Sequence, residues 1–195
     1  MKGTSPLKIK WIRNTFTTVI LITIAIFIYF QFVSKSIVTQ TSEMPTSLHP
    51  IVEERTNLLI EQAASKGIVV IITDGFRSIA DQDILYEQGR STEGNIVTHA
   101  RGGESYHNYG LAVDFALKDS GGNVLWDRQF DGNGNGIADW SEVVTLAKEL
   151  GFEWGGDWIN FKDYPHLEMN FGLAIDDLQR GERPPDGALT VNGQS

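Results

Sequence analysis

Residues 16–33, FTTVILITIAIFIYFQFV, make an 18-residue stretch, largely apolar and without one charged side chain. A helix rises about 1.5 Å per residue, so the stretch spans about 27 Å, close to the hydrocarbon thickness of a membrane. It divides the chain. Lys2, Lys8, Lys10 and Arg13 precede it and only Lys35 follows closely. The positive-inside rule therefore expects residues 1–15 to be a cytoplasmic leader and 16–33 a transmembrane signal anchor. A cleaved signal peptide is the competing reading. Its apolar core usually runs about 7–15 residues and ends in a small-x-small site, and no convincing Ala-x-Ala follows here. Under either reading the chain after residue 34 lies beyond the membrane.

Charge follows the same division. The chain carries −9 overall, while residues 1–40 hold five Lys or Arg and no acid, leaving −14 on the remainder. That argues against a nucleic-acid partner. There is no cysteine, so disulfides and thiolate metal sites are excluded.

Residues 34–47 read as a polar linker and 48–180 as one domain, expected to be a monomer, with 181–195 (GERPPDGALTVNGQS) as a disordered tail. Within the domain, helical spacing of Ile51, Leu58, Leu59, Ala63 and Ala64 predicts a helix over 50–65. IVVIIT (68–73) reads as a buried strand, and DQDILYEQ (81–88) as a helix stopped by Gly89. A long Gly/Ser/Thr/Asn loop fills 91–110. LAVDFAL (111–117) is apolar on both faces, as an inner strand would be, and 124–126 returns beside it. Residues 140–150 form a helix ended by Gly151, FEWGGDW (152–158) a loop, 166–170 a last strand, and 173–179 a short helix. The order predicts an α+β fold with a small, mainly antiparallel sheet flanked by helices.

Two clusters carry metal-ligand chemistry. In SYHNYGLAVD, His107 ends the long loop and Gly110 permits a tight turn into the strand. Alternation along that strand puts Ala112, Asp114 and Ala116 on one face. An aspartate buried between alanines is costly unless it meets a cation, and the small neighbours leave room for one. In DYPHLE, Pro165 holds Tyr164 extended, and His166 and Glu168 then share a face. Two neutral imidazoles and a carboxylate make three ligands of a tetrahedral zinc, with the fourth position open, as in catalytic sites. Asp114 could instead pair with an arginine, and spacing alone cannot join residues more than fifty positions apart. His49 and His99 have no comparable partners and read as surface residues.

The pattern Ser105-x-His107-x-x-Gly110-x-Ala112-x-Asp114, followed by Asp163-x-x-His166, resembles the zinc D-alanyl-D-alanine carboxypeptidase (VanY-like) superfamily of cell-wall peptidases. With GFRS (75–78), LYEQGR (85–90), ARGGESYHNYGLAVDFAL (100–117) and GFEWGGDWINFKDYPHLEM (151–169), it is similar to the L-alanyl-D-glutamate endopeptidase branch over residues 45–185. The resemblance implies a hedgehog/D,D-peptidase-like fold and peptidoglycan stem peptides as substrate. It also implies His107, Asp114 and His166 as zinc ligands, Asp163 as general base and Arg77 as the cation facing the reacting carbonyl. Many relatives place Glu where Asp163 stands. Glu168 is the rival base, and Ser105 is expected to orient a ligand or substrate rather than act as nucleophile. Release of terminal D-alanine is the alternative activity, and a non-catalytic, calcium-dependent cell-wall-binding module the alternative class.

DGNGNGIADWSE (131–142) scans as a calcium loop, with Asp131, Asn133, Asn135, Ile137 (by its carbonyl), Asp139 and Glu142 at positions 1, 3, 5, 7, 9 and 12. VLWDRQF ahead of it reads as a strand. A sensor pair would need helices on both sides, so the expected role is structural calcium. The competing reading is an Asn/Gly turn bonded to its own backbone.

Overall fold

The computed structural model describes residues 43–185 together with Thr23 and Ile24. The chain divides into two units, 1–41 and 42–195, and every element from Pro50 onward belongs to the second. Apart from Thr23 and Ile24, the apolar stretch 16–33 lies outside the described residues, and no helix among those described is long and apolar enough to cross a membrane.

Helix α1 (Pro50–Ser65) starts at His49, whose Nδ1 accepts the Ile51 amide at 3.3 Å. Pro50 sits in the first turn, where its missing N–H costs nothing. The helix buries Ile51, Val52, Leu59 and Ala63, a single stripe. Strand β1 (Val69–Asp74) follows, then α2 (Ile79–Glu87), which begins earlier than its apolar pattern suggests because the Ser78 side chain accepts the Asp81 amide. Strands β2 (Ala112–Lys118) and β3 (Val124–Leu125) precede helix α3 (Asp139–Glu149); β4 (Glu153–Trp154), β5 (His166–Glu168) and the short α4 (Ile175–Gln179) complete the unit.

The sheet runs β1-β2-β5-β4 with β3 also on β2, and every pairing is antiparallel. This is the expected α+β architecture. On β2, Val113, Phe115 and Leu117 lie in the core, and the Phe115 ring packs 4.5 Å from that of Trp140 on α3. Burial of α1 and α3 against this face leaves Asp114 on the other face, where the site forms.

Several boundaries differ from expectation, the α2 start above and the last helix, Ile175–Gln179 rather than 173–179, among them. FEWGGDW is not all loop: Glu153 and Trp154 pair with β5 as its edge strand, and Gly155–Asp157 form a 3-10 turn. Local sequence rich in Gly and Trp masks a strand whose reason to exist is its partner. VLWDRQF is strand only at Val124–Leu125, because only Leu117 and Lys118 are there to pair with it. The last strand stops at Glu168, and the Met169 amide bonds to Leu111 O at 2.9 Å. Residues 181–185 continue against the domain, with Arg183 Nη1 donating to Leu178 O at 2.7 Å and Pro184 buried.

Candidate metal centre

Strand register builds half of the site. Asp114 on β2 and His166 on β5 are direct cross-strand partners. His107 comes from a 3-10 turn, Tyr106–Tyr109, that leads into β2. Ser105 caps this turn, its Oγ accepting the His107 amide at 3.3 Å. Asn108, fully buried, accepts the Gly103 amide at 2.9 Å and donates to Arg77 O at 3.0 Å. Gly110 ends the turn at φ 67, and a Cβ there would collide with the Ser47 carbonyl.

Three atoms then converge. His107 Nε2 and His166 Nδ1 are 3.2 Å apart, and each lies 3.3 Å from Asp114 Oδ1. A tetrahedral zinc with bonds of about 2.0–2.1 Å has ligand–ligand edges of about 3.3–3.4 Å. The triangle matches one face of that tetrahedron. Hydrogen bonds on the far side of each ring set the tautomers. His107 Nδ1 donates to Gly75 O at 2.7 Å, and His166 Nε2 donates to Glu168 Oε2 at 2.9 Å. When both rings are neutral, the inward nitrogens therefore carry the lone pairs, the state a metal requires.

Electrostatics agree with the geometry. Burial lowers the pKa of His166, but hydrogen bonds to Asp114 and Glu168 more than offset it and raise it to about 9. Burial likewise works to raise Asp114, yet the two imidazoles outweigh it and hold that carboxyl well below its ordinary range. The centre is thus an anionic pocket that selects a cation, whether proton or metal.

A cleft of about 710 Å³ opens over these atoms, and it is lined by Asp163, Arg77, Ser105, His99, Trp158 and Phe161 among others. Asp163 is half-buried. Burial and then the nearby Asp114 charge raise its pKa, opposed by His166, His107 and Arg77. Its backbone is fixed by Gly155, whose carbonyl accepts the Asp163 amide at 3.1 Å and whose missing side chain lets the two segments touch. The Trp158 ring packs 5.0 Å from that of His166 and walls the site.

Arg77 is held from two sides. Its Nε donates to Asp74 Oδ2 at 3.2 Å, Nη2 also binds Asp74, and Nη1 donates to Gln82 Oε1 at 2.7 Å. Gln82 is fully buried and donates in turn to Ala100 O at 2.8 Å, tying the arginine to the loop at the cleft mouth. Asp74, Gln82, Asn108 and Trp158 escape a reading of sequence alone. A polar Gln on the inner side of α2, five residues after Arg77, is the one available signal. His99 also lines the cleft, its ring edge-on to Phe161 at 5.6 Å. The Asp131–Glu142 loop does not line this cleft.

The family model described as D-alanyl-D-alanine carboxypeptidase matches residues 98–169, the span from the cleft loop through His107, Asp114, Asp163 and His166. The chain is 63% identical over 130 residues to the peptidoglycan L-alanyl-D-glutamate endopeptidase CwlK of Bacillus subtilis, covering 67% of this chain and 78% of that one. The chain belongs to this peptidase family. An L-alanyl-D-glutamate peptidase of a Listeria phage is 34% identical over 124 residues, which are 63% of this peptidase and 38% of the phage protein. Among solved structures, the L-Ala-D-Glu endopeptidase ChiX of Serratia marcescens aligns with a TM-score of 0.45 at 24% identity, covering 64% of this chain and 82% of ChiX. His107, Asp114 and His166 form the group of potential metal ligands found among the described residues of the peptidase.

Proposed function

We propose that this peptidase is a zinc enzyme that hydrolyses peptidoglycan stem peptides at the L-alanyl-D-glutamate bond. The observation that carries the zinc reading is the three-atom face of His107 Nε2, His166 Nδ1 and Asp114 Oδ1, with both imidazole protons turned outward. Zinc held there supplies Lewis acidity towards a carbonyl oxygen and towards water. Asp163, raised in pKa and facing the same cleft, takes a proton from the attacking water and returns it to the leaving amine. Arg77, oriented by Asp74 and Gln82, presents its guanidinium to the charge that develops on the carbonyl oxygen. Glu168 orients His166 and so is not free to act as the base.

The bond assignment draws on the similarity to the Bacillus subtilis and phage enzymes, which are named for L-alanyl-D-glutamate cleavage. Digestion of purified peptidoglycan and mass spectrometry of the fragments tests it. New N-terminal D-glutamate supports the reading. Loss of a terminal D-alanine alone would instead make the enzyme a carboxypeptidase. Placement beyond a membrane, tethered by residues 16–33, rests on the sequence pattern, and protease digestion of intact against lysed cells tests it.

A further inference from the structure

Two segments far apart in the chain meet across the cleft. One is the loop 97–100, and the other carries Trp158, Phe161 and Asp163; both line the cavity. The loop backbone is pinned on either side of His99. Arg90 Nη2 donates to Thr98 O at 3.0 Å, and Gln82 Nε2 donates to Ala100 O at 2.8 Å. The Ala100 amide also donates to Thr98 Oγ1 at 3.2 Å, which tightens the turn around His99. From the other segment, Phe161 meets the His99 ring edge-on at 5.6 Å, a favourable aromatic geometry. Both the backbone and the ring plane of His99 are therefore set.

What remains open on His99 is its hydrogen-bonding capacity. Among the described residues its ring nitrogens have no protein partner, and an imidazole offers an N–H whether neutral or charged. Of the described side chains lining the cleft, Arg77, His99, His107 and His166 are those able to carry positive charge. Arg77 is paired with Asp74, and His107 and His166 turn a nitrogen each to the metal centre. His99 is the uncommitted one. The fold orients this side chain without bonding to it, which is how a group kept for a ligand is held.

We propose that His99 donates a hydrogen bond to the free carboxylate of the D-glutamyl residue and so helps to set substrate specificity, an inference that rests on the reaction assigned above. A glutamyl residue has two carboxyl groups and a linear peptide uses one of them. The residue whose nitrogen leaves in this reaction therefore keeps a carboxylate close to the bond that breaks. Glu104, Asp114, Asp163 and Glu168 line the same cleft and repel that anion. It needs a donor from outside this acidic group, and His99 supplies one. Val97 and Phe161, each about half-exposed, add apolar surface that partly excludes water and strengthens the bond.

Two synthetic stem peptides test this with the zinc-loaded full chain, one with the free carboxylate of D-glutamate intact and one with it as the carboxamide. Cleavage of the L-alanyl-D-glutamate bond is followed in each. The wild type is expected to favour the carboxylate form by about 5–20-fold in kcat/KM, the scale of one partly exposed charge-assisted hydrogen bond, with the difference in KM. His99→Ala should bring this ratio to about one at unchanged Tm and zinc content. His99→Gln, which retains an N–H donor, should keep part of it. Persistence of the full ratio in His99→Ala, or no preference in the wild type, would overturn the inference and leave the reaction standing. Failure of the wild type to cut either peptide at that bond would overturn the assigned reaction, and this inference with it.

Discussion

His107 Nε2 and His166 Nδ1 face each other at 3.2 Å, and in the neutral rings both carry lone pairs, because the ring protons lie on the far nitrogens. Two lone pairs at that distance repel unless a cation lies between them or one ring is protonated. Removal of one ring should therefore abolish metal retention. One zinc per chain is expected in the wild type and none in His166→Ala, by metal analysis of the purified proteins. Full zinc occupancy in the variant would sink the assignment.

Glu168 touches His166 Nε2 at 2.9 Å, so its expected effect on a bound metal runs through that ring. Glu168→Gln keeps the shape but weakens the hold on the Nε2 proton, and such partners typically contribute about 10–100-fold to metal affinity. Competition with a chelator should show a loss in that range, with turnover largely restored at saturating zinc. If turnover stays absent when zinc is saturating, Glu168 takes part in proton transfer itself.

Asp163 should show the opposite separation. Asp163→Ala is expected to keep its zinc and lose hydrolysis by about 10²–10⁴-fold, the usual worth of a positioned acid–base group. Near-normal turnover in a zinc-loaded variant would remove the base role from this residue.

Gln82 holds Arg77 with its oxygen and the loop at Ala100 with its nitrogen. Gln82→Glu keeps the acceptor for Arg77 and removes the donor to Ala100. Gln82→Met removes both. If Arg77 serves the developing charge, kcat should fall much further in Gln82→Met than in Gln82→Glu at equal thermal stability. Equal kcat in the two would assign Gln82 to packing.

The zinc-stripped protein should carry a distinctive pH dependence. His166 has a folded pKa of about 9 against an ordinary 6.5, because Asp114 and Glu168 overcome its burial. Raised above its unfolded value, it contributes stability fully present below about pH 6.5 and lost as pH rises through 9. Asp114 is shifted down, so its contribution is present above its ordinary 3.8 and lost on acidification. Calorimetry after selective zinc removal should give a Tm that falls between pH 6.5 and 9. Zinc-loaded protein, where metal replaces the proton, should lack that fall.

Elements with strong local periodicity, and the kind of chemistry the chain carries, are legible in residue order alone. Helix α1 shows in its apolar stripe and β2 in its alternation, which also places Asp114 between Ala112 and Ala116 on one face. The His107, Asp114, Asp163 and His166 spacings carry the family resemblance. Such features depend on neighbours a few residues away, and a chain written in order displays them directly.

How those residues meet is a matter of tertiary contacts. Asp114 opposes His166 because β2 and β5 pair in one register, across 52 residues of chain. A slip of one residue would turn His166 to the other face. Glu168 meets His166 Nε2 across one turn of the strand pleat, and Gly75 O accepts from His107 Nδ1. Trp154 becomes part of an edge strand because β5 lies beside it. Tautomers, registers and edge strands are chosen by partners distant in sequence, and spacing along the chain carries no information about which partner arrives.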